Sequence, residues 1–211
     1  GYGDIRSKNK DEYFDFFYDQ ASLIDMPVGV YYYSCATNEK EGAEEAEFLY
    51  EHCLKGRKFQ MPIYIDVENT RWQANKEKGV TDAIIGFCKT LEKKKFYAGV
   101  YASLYWFNNH IETDRLEAYT KWVAAWRDTK PPFKWGGFNK KKKSNRGYVN
   151  GIQIDVDEAF QVFPNIIKSS GLNGYSKEPT NHLAYVVKKG DTLWGLAKKY
   201  LGNGDRYKEI Q

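Results

Sequence analysis

The first 160 residues alternate between apolar positions at helical spacing and short runs rich in β-branched and aromatic residues. Helical periodicity predicts four helices, at 11–25, 39–54, 80–95 and 114–119. Strand-like runs precede or follow them, at 28–34, 63–67, 96–102 and 121–126. Strands that alternate with helices in this way are typical of βαβ units in a parallel sheet.

The strand-like runs are apolar on both faces, as VGVYYY (28–33) and PIYIDV (62–67) illustrate. Such strands are covered on both sides. A closed α/β barrel fits this pattern, and it would gather the carboxyl ends of the strands at one rim, where barrel enzymes carry their chemistry. A doubly wound open sheet is the alternative, although no Gly-rich phosphate loop favours it.

The pattern changes after Phe163. Residues 168–181 (KSSGLNGYSKEPTN) lack apolar periodicity, and their Ser/Gly/Asn/Pro-rich composition is typical of a linker. Beyond them we predict a short strand at 185–187, a helix capped by Asp191 or Thr192, and a second helix from about Asp205. The predicted organisation is a domain, a linker and a small module, at 1–165, 166–182 and 183–211.

Composition is that of a soluble globular protein, with 42% hydrophobic and 28% charged residues and a net charge of +4. The aromatic share of 17% fits core packing or, alternatively, sugar stacking in an open groove. The run Lys140–Lys143 indicates a solvated loop, with a weak attraction to an anionic polymer left open. No apolar run reaches the length of a membrane span.

Cysteine and histidine give no sign of a metal or cofactor site. We interpret the three cysteines as small buried side chains without a disulfide framework, which suits synthesis in a reducing compartment: Cys35, Cys53 and Cys88. The three histidines are scattered along the chain, at His52, His110 and His182.

The candidate chemistry lies in MPIYIDVENT (61–70), an apolar run that ends in Asp66 and Glu68. In a strand, residues two apart share a face, so both carboxylates point the same way. Such a pair suits cleavage of a glycosidic bond, in which one carboxyl protonates the leaving oxygen and the other stays ionised. Acids at a strand end also serve as helix caps or ion-pair partners, so the pair alone does not establish a catalytic site.

With these residues the chain resembles the glycoside hydrolase family 25 lysozymes, the Chalaropsis-type muramidases found among phage endolysins. The resemblance spans most of 1–160. The segments that carry it are Gly1–Gly3, Asp11–Ser34, Glu44–Leu49, Pro62–Glu68, Gly99–Ala102, Lys121–Trp126 and Val156–Asp157. It implies an irregular TIM-like (β/α) barrel. The family's first strand, with its Gly-Ile-Asp-Val-Ser, has no counterpart here, so we expect a barrel without that strand and a fragment without full activity.

The resemblance also implies roles for individual residues. Glu68 would be the general acid, and Asp66 would orient the substrate's 2-acetamido group, which acts as an internal nucleophile. Residues implied to contact the sugar are Tyr32, Tyr64, Tyr101, Trp126 and Asp157. Ordinary packing is the alternative for the four aromatic residues, and a cap or loop bond for Asp157.

The segment YVVKKGDTLWGLA (185–197) closely resembles the LysM module, a family that binds polymers containing N-acetylglucosamine. The resemblance implies a βααβ unit whose second strand would lie beyond Gln211. It also implies glycan contacts from one short stretch, Gly190, Asp191, Thr192 and Leu193.

Together these features predict an N-acetylmuramidase that cuts the β-1,4 bond between N-acetylmuramic acid and N-acetylglucosamine, with LysM binding the wall. We expect a monomer whose partner is peptidoglycan, without a cofactor, a metal, nucleic acid or a membrane span. It would reach the cell wall by release from the cytoplasm, as an endolysin does, or by secretion. The alternatives are a chitinase-like glycosidase and a non-catalytic wall-binding protein.

Overall fold

The structure is a computed structural model that describes residues 9–68, 77–125, 137–138, 146–149, 152–155, 157–177 and 186–210. The chain divides into two compact units, residues 1–178 and 179–211. Within the described ranges, every helix is too short or too polar to cross a membrane.

The first unit alternates helices and strands. Its helices are α1 (Phe14–Leu23), α2 (Glu39–Leu49), α3 (Glu77–Lys93), α4 (Leu104–Asn109) and α5 (Phe163–Ser170). Its strands are β1 (Val30–Tyr33), β2 (Ile63–Asp66), β3 (Ala98–Ser103), β4 (Thr120–Ala124), β5 (Gly137–Phe138), β6 (Arg146–Val149), β7 (Ile152–Asp155) and β8 (Glu158–Ala159). A π-helical turn continues α2 over Tyr50–Leu54, and a 3-10 turn at Thr113–Leu116 precedes β4.

Three predicted helices and all four predicted strands are confirmed, with ends shifted by a few residues. The predicted helix at 114–119 is only a 3-10 turn. Helix α4 was not predicted. It begins directly after β3, where the Ser103 hydroxyl accepts the Trp106 amide as an N-cap.

The first five strands form a parallel sheet in chain order, β1-β2-β3-β4-β5, and β8 joins β5 antiparallel. Strands β6 and β7 form a separate antiparallel pair. The predicted parallel α/β sheet is thus confirmed. In the described ranges β1 and β8 are its edge strands, so closure into a barrel stays a prediction.

One face of the sheet packs under α2 and α3 to form the core. Tyr32, Ile65 and Val100 are register partners on this face, and all three are fully buried. The two helices meet at glycines, because a Cβ at Gly42 would lie 2.0 Å from the carbonyl oxygen of Ala83. The close helix pair fixes β1, β2 and β3 beneath it, and these strands carry the candidate site.

The predicted linker at 166–182 is wrong for residues 166–177, which belong to the first unit. Ile167 of α5 is fully buried, and the helix ends at Gly171 with a φ of 67°. Asn173, also fully buried, accepts the Tyr97 amide at 2.6 Å and donates to the Met61 carbonyl at 2.9 Å. Ser, Gly and Asn occur here because the chain turns tightly, not because it is unstructured.

The second unit is small. Helix α6 (Leu193–Leu201) begins at Thr192, whose hydroxyl accepts the Gly195 amide at 3.0 Å, and it ends at Gly202 with a φ of 78°. A 3-10 turn follows at Gly204–Glu209. Helix α6 and its cap were predicted, whereas the helix predicted from about Asp205 is only this 3-10 turn. The predicted strand at 185–187 is not confirmed, because the described residues of that stretch, 186–187, are not in a strand.

Candidate active site

The two candidate acids lie where the sequence places them, at the carboxyl end of β2. Asp66 ends the strand and is 5% exposed, whereas Glu68 is exposed just beyond it. Asp66 is the register partner of Tyr33 on β1 and of Tyr101 on β3, and Tyr101 is the partner of Trp122 on β4. Register partners share a face of the sheet. Tyr33, Asp66, Tyr101 and Trp122 therefore form one row across four strands, called the acid row below.

The backbone between the two acids is held from both sides. The Ser34 amide donates to the carbonyl of Asp66 at 2.9 Å, and the Val67 amide donates to the carbonyl of Tyr101 at 2.9 Å. The Asp66–Val67 peptide is thus fixed by β1 and β3 together. Glu68 directly follows Val67, so the fixed peptide also restricts the position of the Glu68 side chain.

The surroundings of Asp66 favour a bound proton. Burial and, secondarily, the charge of Glu68 raise the pKa of Asp66 from 3.8 to about 7. Its Oδ1 is buried and has no hydrogen-bond partner among the described residues. A buried carboxyl of this kind keeps its proton at a pH where an ordinary carboxyl has lost it. The pair can therefore serve as a proton donor and an anionic partner.

Aromatic rings continue the site from Asp66 toward β4. The Trp122 ring meets Tyr64 and Tyr101 edge-on, with centroid distances of 5.3 and 4.7 Å. Its indole N–H donates to Oδ1 of Asp157 at 3.1 Å. Three of the candidate sugar-contacting residues, Tyr64, Tyr101 and Asp157, are thus brought together around a tryptophan that the sequence interpretation missed.

The assignment of Tyr32 to the sugar-binding face is wrong. The Tyr32 side chain is fully buried, and its ring lies 6.2 Å from that of Phe87 on the helix-covered face. Its neighbour Tyr33 occupies the acid row instead. The strand register reveals this placement, because Tyr33 pairs with Asp66 and strand partners share a face. Trp126 lies outside the described residues.

A cavity of about 260 Å³ lies beside the acid row. Tyr31, Tyr64 and Trp122 supply its aromatic wall, and Asp157 is its carboxylate. Asp66 and Glu68 do not line it. Residues at the amino-terminal ends of β1 and β2 also line it, as do Ala159 and Phe163. The cavity is therefore offset from the acids along the strands. We place the chemistry at the acids, because two carboxyls lie together there and burial raises the pKa of Asp66.

A metal centre finds no support in the part of the chain that the structure describes. It contains no group of three or more His, Cys, Asp or Glu side chains that could hold a metal ion. His52 and His110 contact aromatic rings, with the His52 ring centroid 4.4 Å from that of Phe48. Cys53 and Cys88 are buried as predicted, whereas Cys35 is partly exposed.

The four residues assigned to glycan binding in the second unit lie together at the start of α6. Gly190 has a φ of 100° and open space around its Cα, and Leu193 is largely exposed. Asp191 accepts the Lys188 amide at 2.7 Å, and Thr192 caps the helix. Asp191 and Thr192 therefore have structural roles in the turn, whatever else they contact.

Two protein families match the sequence. The family described as glycosyl hydrolases family 25 matches residues 7–149, and the LysM domain matches residues 185–211. No curated protein matches the sequence significantly.

Among solved structures, the CTP1L endolysin is 22% identical with a TM-score of 0.60, over 75% of this chain and 56% of its own. The modular autolysin LytC from Streptococcus pneumoniae, solved with a synthetic peptidoglycan ligand, is 20% identical with a TM-score of 0.57. The match covers 71% of this chain and 37% of LytC. The catalytic domain of endolysin ply40 from bacteriophage P40 of Listeria monocytogenes is 18% identical with a TM-score of 0.56. The match covers 75% of this chain and 80% of that domain.

These structures share the fold of the first unit. The chain covers little more than half the length of the CTP1L endolysin and 37% of LytC. The family match covers more than half of the 211 residues, including β1 to β4 and the acid pair. The chain belongs to glycosyl hydrolases family 25.

Proposed function

We propose that the protein hydrolyses peptidoglycan as an N-acetylmuramidase. The observation that carries this proposal is the acid pair, in which a buried Asp66 with a raised pKa lies two residues from an exposed Glu68 at a strand end. Membership of glycosyl hydrolases family 25 supports it, as does the LysM match in the same chain. Both modules are of kinds that act on or bind aminosugar polymers.

In this proposal Glu68 protonates the glycosidic oxygen as the bond to the anomeric carbon breaks. The carbonyl oxygen of the substrate's 2-acetamido group forms a bond to the same carbon, which gives a cyclic intermediate. Asp66, as a carboxylate, accepts the acetamide N–H and so stabilises the positive charge that develops there. Water then opens the intermediate and returns a proton to Glu68.

For this step the proton must lie on Glu68. In the unliganded protein, burial favours the proton on Asp66, whose pKa is raised to about 7. A bound sugar would cover the exposed Glu68 and bring the acetamide N–H to Asp66. Desolvation favours a neutral carboxyl, and a donated hydrogen bond favours an ionised one. Substrate binding would therefore move the proton from Asp66 to Glu68.

The aromatic side chains around the acid row would bind the sugar rings. Tyr64, Tyr101 and Trp122 form a connected group of rings, and Tyr33 lies on the other side of Asp66. Aromatic rings of this kind present an apolar face and, in Tyr and Trp, a hydrogen-bond donor. Trp126 stays a candidate from the sequence alone.

The second unit would hold the enzyme on the wall. Gly190 and Leu193 are open to solvent at the start of α6, where a glycan chain could lie, and Asp191 and Thr192 shape that turn. We expect a monomer that acts on the cell wall, reached by release or by secretion.

The test is loss of turbidity of Gram-positive cell walls with purified protein. Glu68→Gln removes the transferable proton and should lower the rate by about 10²–10⁴-fold, because that is the usual contribution of a general acid. Asp66→Asn should also be strongly impaired. Glu117→Gln, at an exposed position away from the site, is the matched control and should match the parent. Lysis by Glu68→Gln at the parent rate would contradict the proposal.

A further inference from the structure

A second buried carboxylate lies behind the acid row. Glu45 of α2 is fully buried, and it accepts the Ser34 hydroxyl at 2.6 Å and the Cys35 amide at 2.9 Å. Burying a carboxylate is costly unless hydrogen bonds satisfy it, and bonds to a charged acceptor are among the strong ones. Both of these bonds go to the segment that follows β1.

The same segment contacts the backbone of the acid pair. The Ser34 amide donates to the carbonyl of Asp66 at 2.9 Å, so Ser34 is bonded to Glu45 through its hydroxyl and to Asp66 through its amide. The Ser34 hydroxyl also accepts the Ala36 amide at 3.1 Å, which tightens the turn. A connected path of hydrogen bonds therefore runs from α2 to the residue that ends β2.

Helix α2 has other means of stabilisation. Asn38 caps its start by accepting the Glu41 amide at 3.0 Å, and Glu41 accepts the Thr37 hydroxyl at 2.6 Å. Its packing against α3 uses the small residue Gly42, and Ala46 is buried beside Glu45. An apolar residue at position 45 would serve packing without the cost of a buried acid.

We propose that Glu45 is a positioning residue, whose carboxylate holds Ser34 so that the Ser34 amide fixes the Asp66–Val67 peptide between the two acids. Its effect on activity rests on the proposed function of that pair. Small displacements of reacting groups are costly, since a shift of about 1 Å can lower a rate by about 10²-fold.

Two substitutions interrupt the path at different points. Glu45→Gln keeps the shape of the side chain and weakens the bonds to Ser34 and Cys35, while Ser34→Ala keeps the amide and removes the hydroxyl. Each should lower kcat on peptidoglycan fragments by about tenfold and leave KM within about twofold, because the aromatic sugar contacts are untouched. The double variant should have a kcat no lower than that of the more impaired single variant, since both substitutions interrupt the same path. Glu44→Gln, exposed on the same helix, is the matched control.

A purely structural role is separated by two further measurements. Ile84→Val, at a fully buried position on α3, destabilises the core without touching the path and should keep the parent kcat. Hydrogen exchange then reports the path directly. In Glu45→Gln the Ser34 amide should exchange about tenfold faster relative to the Val100 amide, which lies within the sheet.

Unchanged relative exchange at Ser34 in Glu45→Gln would overturn the proposal whatever the activity. A parent-like kcat in Glu45→Gln, or an equal loss in Ile84→Val, would overturn it as well. Faster exchange at Ser34 in a protein without hydrolytic activity would contradict the proposed function and still support the positioning role.

Discussion

The indole N–H of Trp122 donates to Oδ1 of Asp157 at 3.1 Å, and this bond ties β4 to the residue just before β8. Trp122 is also the register partner of Tyr101, which is in turn the partner of Asp66. Asp157 is therefore linked to the acid row through Trp122. The carboxylate holds the ring in place beside Tyr64 and Tyr101.

Trp122→Phe tests this arrangement. Phenylalanine keeps an aromatic ring between Tyr64 and Tyr101 but cannot donate to Asp157. Loss of one hydrogen bond, about 0.5–1.5 kcal/mol, should raise KM on peptidoglycan fragments by about 2–12-fold with little change in kcat. Asp157→Asn retains an acceptor oxygen and should keep KM within about twofold of the parent. An unchanged KM in Trp122→Phe would show that the bond does not support sugar binding.

The raised pKa of Asp66 predicts a pH dependence of stability. The folded protein retains a proton on Asp66 up to about pH 7, whereas the unfolded chain releases it near its ordinary value of 3.8. Between these values the folded state binds more protons, so this group's contribution to the free energy of unfolding falls as the pH rises.

Asp66→Asn should remove that contribution. Between pH 5 and pH 8, the difference in the free energy of unfolding between the variant and the parent should shift by roughly 1–3 kcal/mol in favour of the variant. Urea denaturation at both pH values measures it. Asp19→Asn, at an exposed site on α1, should show no such gain. Parallel pH profiles for Asp66→Asn and the parent would mean that Asp66 is not held neutral by burial.

Asn173 is expected to be a major source of stability for the first unit. Its side chain bonds the Tyr97 amide and the Met61 carbonyl, next to β3 and β2, and its φ is 52°. Asn173→Ala leaves both backbone groups unsatisfied and strains a left-handed residue, so the free energy of unfolding should fall by about 2–5 kcal/mol. Asn165→Ala, exposed on α5, should change it by less than about 0.5 kcal/mol. Equal unfolding midpoints for the two variants would contradict this.

The second unit offers a test of wall retention. A Cβ at Gly204 would lie 2.2 Å from Cε2 of Trp194, so Gly204→Ala must displace the indole or the turn. We expect weaker co-sedimentation with cell walls, by about tenfold or more, and unchanged turnover of soluble fragments. Gly202→Asn is the control, because asparagine tolerates the left-handed backbone there and no atom approaches. Wall binding by Gly204→Ala at the parent level would contradict a contribution of this turn to wall retention.

The sequence was informative where a local pattern determines the structure. Asp66 and Glu68 could be placed because a two-residue period and a strand end suffice to locate them. Tyr32 was misplaced because three consecutive tyrosines do not reveal which of them faces the core. Trp122 was missed because its role depends on register with Tyr101, a contact between strands that the sequence does not encode locally. The segment around Asn173 looked like a linker because buried turns and exposed ones use the same residues.

The most direct test of the central claim identifies the bond that is cut. Purified peptidoglycan is digested with the protein and with Glu68→Gln, the new reducing ends are reduced with borohydride, and the fragments are identified by mass spectrometry. Our account predicts fragments ending in reduced N-acetylmuramic acid from the parent and almost none from Glu68→Gln. Fragments ending in reduced N-acetylglucosamine, or equal yields from the two proteins, would contradict it.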